Sequence, residues 1–233
     1  MTAAPRLPPA SDVSALVLAA GTGTRLGNRS KAFLAVGGVT LVERVVARMR
    51  PYCAEILVGL PPDEVETGRA LFEGAGVTAV AGGATRQETV EILLARAGLP
   101  LVLVHDVARP LARPDLFERV LAAGALHGAA VAALPAGTRD SLGLAENGEL
   151  VSALAREAVV FTQTPQAFRR EILLEACRKA REQGCEDPSL AGLMVRTGRR
   201  VRLVEGDPEN VKITFAEDWE QARRTIAAEG AHD

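Results

Sequence analysis

The segment Ala19-Ala20-Gly21-Thr22-Gly23-Thr24-Arg25-Leu26-Gly27 follows directly on an apolar run, and Lys31 stands six residues beyond Arg25. Glycines let backbone N–H groups approach a phosphate closely, and two cations on so polar a segment can clamp a polyphosphate. On the loop alone, a glycine-rich turn carrying a solvated arginine stays open as the alternative. A dinucleotide fingerprint does not fit. The spacing is Gly-x-Gly-x-x-x-Gly, Arg25 sits inside it, and the second strand ends at Gly59-Leu60-Pro61 with no acid for a ribose. No Gly-Lys-Ser/Thr follows at Walker spacing. Of 27 basic residues only Lys31, Lys179 and Lys212 are lysine. In a chain whose default cation is arginine each lysine invites a question, and Lys31 suggests a site wanting a compact ammonium.

The elements that must carry these residues follow from periodicity. Val13 to Ala19, Glu55 to Gly59, Val77 to Ala81, Leu101 to His105 and Ala129 to Leu134 are short apolar runs of the kind buried on both faces of a sheet. Between them, Leu41, Val45 and Met49 before Pro51, and Val90, Leu93, Leu94 and Ala97, follow helical spacing. The alternation implies an α/β chain with a parallel sheet flanked by helices. Ser141 to Glu146, Asn147-Gly148 and Glu149 to Leu154 then form a hairpin with a type I′ turn, read as a projecting β-arm over about residues 137–157. Such a ribbon is a flap or, the preferred reading, a dimerisation arm whose edge wants a partner. Further strands are expected at Val159 to Thr162, Val201 to Val204 and Val211 to Ile213. Helices are expected at Phe168 to Glu182, beyond Pro188, and at the end with Glu217 and Asp218 in the first turn. Trp219 is expected in the core with Ala222 and Ile226.

With 233 residues the chain can bury a full core unaided, and residues 11–233 are read as a single domain behind a disordered, proline-containing tail at 1–10. The net charge of −2 gives no field to attract nucleic acid or an anionic membrane. Val120 to Leu134 is too short and too broken by His127 to span a bilayer. Cys53, Cys177 and Cys185 are odd in number and lack metal-ligand spacing, so inert thiols in a cytoplasmic protein are expected. His105 reads as the buried end of a strand. Arg109 before Pro110 reads alternatively as a surface cation, and Arg156 beside Glu157 as an edge guard.

Five ordered segments then carry a resemblance: Leu18-Ala19-Ala20-Gly21 with Arg25 and Lys31, Gly82-Gly83-Ala84-Thr85-Arg86, His105-Asp106-Val107-Ala108-Arg109-Pro110, Thr164-Pro165-Gln166, and Asn210-Val211-Lys212-Ile213-Thr214. Together they resemble the 2-C-methyl-D-erythritol 4-phosphate cytidylyltransferase family. The resemblance implies a Rossmann-like nucleotidyltransferase fold, mostly parallel, and a homodimer joined through the β-arm. It implies transfer of CMP from CTP to methylerythritol phosphate with release of pyrophosphate, and Mg²⁺ as cofactor. Ala19, Ala20, Gly21, Gly23, Gly82, Gly83 and Thr89 would form the nucleotide pocket, with Arg25 and Lys31 on the triphosphate. Asp106, Arg109, Ser141, Arg156 and Lys212 would face the sugar phosphate, Arg156 reaching into the partner's site. Ser30, Ala84, Thr89 and Ser141 depart from the residues usual in the family, the last two keeping a hydroxyl. Cys185 stands where the family has threonine, and no substrate role is carried to it.

The chemistry fits the residue types. A phosphate nucleophile is already ionised near neutral pH and needs no strong base, so the barrier lies in bringing anions together and stabilising charge on the α-phosphate and the departing pyrophosphate. Arg25, Lys31, Arg156 and Lys212 are the expected catalytic cations, and a metal would add to them. Asp106 is expected to accept from substrate hydroxyls or to hold metal-bound water. The competing readings are transfer to another sugar or polyol phosphate, a catalytically silent nucleotide-binding subunit, and, third, a nicotinamide dehydrogenase.

Overall fold

A computed structural model describes residues 6–21 and 30–229. Seven strands form one sheet in the order β11-β7-β10-β6-β1-β4-β5. Strands β1 (Val13–Leu18), β4 (Glu55–Leu60), β5 (Val77–Ala81) and β6 (Leu101–Asp106) run parallel. β11 (Arg202–Glu205) runs parallel to β7 (Ala129–Pro135), while β10 (Val160–Arg169) is antiparallel to both β6 and β7. The short strands β2 (Ala35–Val36) and β3 (Val39–Thr40) pair apart from the main sheet.

Alternation of side chains across the pleat explains why the strand runs are apolar throughout. Ala15, Val17, Leu101 and Leu103 enter one core cluster, while Leu16, Leu18, Val102 and Val104 enter the other. The first cluster is covered by α1 (Leu41–Met49), α4 (Pro114–His127) and α7 (Ala216–Glu229) through Val45, Met49, Phe117, Val120 and Ile226. The second is covered by α3 (Arg86–Arg96), α5 (Arg170–Glu182) and α6 (Leu190–Arg196) through Val90, Leu93, Leu173 and Met194. α2 (Val65–Leu71) packs beside β5. Trp219 is partly buried against the first cluster, beside buried Ala222 and Ile226. The apolar stretch 120–134 is a helix end, a turn at Gly128 with φ of 85°, and a strand.

Two expectations are corrected. β10 continues through Pro165, whose peptide bond with Thr164 is cis, to Arg169, so the helix expected from Phe168 begins at Arg170. The pairing of Gln166, Ala167 and Phe168 with β6 and β7, and the full burial of Ala167 and Phe168, hold these residues in the sheet. Val211 to Ile213 is not a strand. Its backbone serves the turn after β6 instead, the Ile213 N–H donating to the Ala108 carbonyl at 2.8 Å.

The hairpin is β8 (Leu142–Glu146) and β9 (Glu149–Leu154), a separate two-stranded sheet. Asn147 and Gly148 have φ of 51° and 85°, as a type I′ turn requires. Leu144 and Leu150 on the ribbon, with Phe161 at the start of β10, are more than half exposed.

Candidate active site

Chain order turns back at β1. From β1 the chain adds β4 and β5 on one side, then crosses to place β6 on the other. Ligands of open α/β sheets bind at such a reversal, beyond the carboxyl ends of the strands. A cavity of about 250 Å³ lies there, taking in Leu18 from the end of β1 and Asp106 from the end of β6.

One wall is backbone. Gly82 N–H donates to Leu60 O at 2.8 Å, carrying the β4–β5 pairing past its end, and the chain turns through Gly83 and Ala84 into α3. A Cβ on Gly82 would stand 2.9 Å from Thr89 Oγ1 and closer still to the Ala20 Cβ, while one on Gly83 would collide with Glu88. Only glycine fits this approach. Thr85 caps α3, its Oγ1 accepting from Glu88 N–H at 3.1 Å while Glu88 Oε2 accepts from Ala84 N–H at 2.7 Å. Thr89 Oγ1 accepts from Gly83 N–H at 3.1 Å and donates to Thr85 O at 3.0 Å, so its hydroxyl fastens the turn.

The other wall is charged. Asp106, 7% exposed, meets Arg86 Nη2 at 2.8 Å on Oδ1 and Lys212 Nζ at 2.9 Å on Oδ2. Burial opposes its ionisation, but the two flanking cations outweigh that and hold the carboxyl far below the usual carboxylate range. Lys31 Nζ donates to Ile213 O at 2.8 Å, and Lys31, Arg86 and Lys212 all line the cavity with Asp106. The lining therefore carries three cations against one carboxylate, a balance suited to anionic ligands.

Lys212 sits on irregular backbone, and a buried polar network holds that backbone in place. Arg109 Nη1 donates to Asn210 O at 2.6 Å, and fully buried Asn210 donates through Nδ2 to Thr164 O at 2.7 Å. Thr164 Oγ1 accepts from the Asp106 N–H at 3.1 Å, so the same network reaches the clasped carboxylate. Gln163 Nε2 donates to Asp207 O at 3.0 Å and Oε1 accepts from Asp207 N–H at 3.1 Å. His105, fully buried, lies 5.1 Å edge-on from Phe117. Burial pushes it down to about 4, so at neutral pH it is uncharged and its Nε2–H donates to Arg109 O at 2.9 Å, closing the turn after Asp106.

Of the expected site residues, the cavity gathers Ala20, Gly21, Gly83, Thr89, Asp106, Lys31 and Lys212. Ala19 and Gly82 pack directly behind it, Ala19 with its N–H on Gly59 O at 2.9 Å. Arg109 turns to Asn210 instead of lining the cavity. Ser141 and Arg156 stand exposed at the base of the arm, Arg156 donating to Arg139 O at 3.4 Å. Gly23 and Arg25 lie outside the described residues. Among the described residues no cluster of three His, Cys, Asp or Glu side chains is placed to hold a metal, and both Asp106 oxygens already meet cations. Cys185 packs against the second core cluster, away from the cavity lining. Arg86, Asn210, Gln163 and Thr164 were given no part by sequence reasoning. The signal for Arg86, Thr164 and Asn210 is their place in the quoted segments, Arg86 at the first turn of a capped helix.

Residues 13–227 match the family model IspD, 2-C-methyl-D-erythritol 4-phosphate cytidylyltransferase. The chain is 46% identical to the enzyme of that name from Thermus thermophilus, over 89% of this chain and 93% of the relative. It is 42% identical to the one from Deinococcus radiodurans, over 88% and 85% of the two chains. The crystal structure of the Thermus thermophilus enzyme superposes with a TM-score of 0.77 at 43% identity, covering 92% of this chain and 98% of that one. The 4-diphosphocytidyl-2C-methyl-D-erythritol synthase of Anaerococcus prevotii gives 0.80 at 25% identity, covering 93% and 99%. A cationic crevice at the sheet's reversal, a glycine wall facing it and agreement along nearly the whole chain thus lead to one assignment: this protein belongs to the 2-C-methyl-D-erythritol 4-phosphate cytidylyltransferase family.

Proposed function

We propose that the crevice between the glycine wall and the Asp106 clasp is where this enzyme carries out the family's reaction, transfer of the cytidylyl group of CTP to 2-C-methyl-D-erythritol 4-phosphate. The observation that carries the placement is the pairing of a close-packed backbone wall with three cations around one carboxylate in one cavity. The wall of Ala20, Gly82 and Gly83 takes the nucleoside, and Lys31 with Arg25 takes the triphosphate. Lys212 draws in the acceptor phosphate, while Asp106 accepts from the acceptor's hydroxyls. An oxygen of that phosphate attacks the α-phosphorus, and the bond from it to the bridging oxygen of the β-phosphate breaks, releasing pyrophosphate. No proton has to be removed from the nucleophile. The protein contributes alignment and fixed positive charge where negative charge accumulates.

Among the described residues Asp106 is the one carboxylate lining the cavity, so it is the protein group that would hold metal-bound water once Lys212 leaves Oδ2. A magnesium ion would be held by the triphosphate oxygens, where it neutralises charge when bound. The apolar, exposed faces of Leu144, Leu150 and Phe161 support a homodimer formed through the β-arm, with Arg156 and Ser141 offered to the second copy's cavity. The three unpaired cysteines support a reducing, cytoplasmic setting.

The test is pyrophosphate release with magnesium, CTP and 2-C-methyl-D-erythritol 4-phosphate, run beside UTP, ATP, GTP and common sugar phosphates. Release confined to the first pair supports this reading. Release with another pair replaces the base or the acceptor, and CTP binding without release with any pair favours the silent nucleotide-binding subunit.

A further inference from the structure

We propose that Arg86 is a positioning residue for acceptor binding, acting through Asp106: it is the fixed half of the two-cation clasp, and Lys212 is the half released to the acceptor phosphate.

The two cations differ in how they are held. Arg86 is the first residue of α3, behind a capping box that fixes the helix start, and its side chain is 25% exposed. Its planar guanidinium presents donors in a fixed fork. Lys212 stands on irregular backbone with its side chain 46% exposed, its ammonium on a flexible stem with three rotatable donors. An acceptor phosphate entering the cavity competes with Asp106 for that ammonium. If Lys212 were the carboxylate's only partner, each acceptor bound would leave a carboxylate with little exposure facing an anion. Arg86 keeps that charge compensated and keeps Asp106 aimed, through Oδ1, while Oδ2 is vacated for a substrate hydroxyl. Among the described residues, the other charged groups around Asp106 do not offer the same support. Lys31 is engaged at Ile213 O, Arg109 at Asn210 O, and His105 is neutral.

The inference rests on the assignment of Asp106 to the acceptor, so its test is a double-mutant cycle of Arg86→Gln and Asp106→Asn. Steady-state kinetics are measured separately in CTP and in 2-C-methyl-D-erythritol 4-phosphate, with Arg86→Lys as the conservative variant. Arg86→Gln is expected to lower kcat/KM for the acceptor on the order of 30-fold, mostly through KM, as expected when one partner of a hydrogen-bonded charge pair is removed. The KM for CTP should stay within about twofold, Arg86→Lys should recover most of the loss, and Arg86→Gln should add no more than about twofold in the Asp106→Asn background. An equal rise in both KM values, or a full Arg86→Gln effect persisting without the Asp106 carboxylate, overturns the proposal. If Asp106→Asn alone leaves the acceptor KM unchanged, the Asp106 assignment fails, and the inference with it. Should Arg86→Gln not fold, Arg86→Lys decides the matter: wild-type CTP kinetics with a weakened acceptor KM supports it, and the reverse contradicts it.

Discussion

The two walls of the cavity achieve order by different means. The wall proposed for the nucleoside, Gly82 to Thr85 with Thr89 and Ala20, is fixed by close packing: glycines admitted where no Cβ fits, a capped helix start, and a threonine hydroxyl bonded to the turn it follows. The wall proposed for the phosphates is irregular backbone at 207–214 held by buried amides, an arginine and a lysine, and it carries Lys212, which shares the Asp106 carboxylate with Arg86 from the start of α3. A base is a rigid plane, met best by an unyielding surface. Phosphates and the charge that develops on them call for cations that can adjust while their backbone stays put. The comparison predicts that damage to the two walls separates in the kinetics.

The largest effect is expected from the cations. Lys31→Ala should reduce kcat on the order of 10²- to 10³-fold with the fold intact, by analogy with removal of one transition-state contact. Single-turnover kinetics beside circular dichroism checks this, and near wild-type turnover would remove Lys31 from the account.

Next comes the turn behind the phosphate wall. His105 is depressed to about 4 by burial, against about 6.5 unfolded, so between those values the unfolded chain binds more protons and stability rises with pH. Going from pH 6.5 down to 4, this one residue should cost about 3 kcal/mol. Urea unfolding across that range should show the fall for wild type and a flatter curve for His105→Gln. Asp106 acts in the same direction at lower pH: its folded-state pKa is depressed, so its contribution is present above the unfolded value near 4 and is lost as pH drops through the folded one.

Gly82→Ala should cost about 1 to 3 kcal/mol of stability by overpacking against Ala20 and Thr89, and should weaken CTP binding measured calorimetrically while sparing the acceptor. The smallest effect is expected far from either wall. Breaking the exposed Glu66–Arg69 pair with Glu66→Ala should change stability by less than about 0.5 kcal/mol in thermal unfolding and leave both KM values alone.

Much of this was legible in the chain itself, because apolar runs, helical spacing and the Asn147-Gly148 turn are local signals. They place β1, β4, β5, β6, β7 and the hairpin, and Gly21 and Gly83 of the glycine segments line the cavity. The misreadings have tertiary causes. The strand expected at Val159 to Thr162 runs on to Arg169, because Ala167 and Phe168 are held in the sheet by neighbours on both sides. Val211 to Ile213 has strand composition, but its hydrogen bonds go to the turn after β6 and to Lys31. The contact of Arg109 Nη1 with Asn210 O joins residues 101 apart, which no local signal announces. Arg86 had no visible task, because its partner stands 20 residues away on another element.

The most direct test of the two-wall account is one set of kinetics, KM and kcat for both substrates in Gly82→Ala and Lys212→Ala. The account predicts that Gly82→Ala raises the KM for CTP and leaves that for 2-C-methyl-D-erythritol 4-phosphate near wild type, and that Lys212→Ala does the reverse with a lower kcat. Variants that raise the same KM together would contradict it.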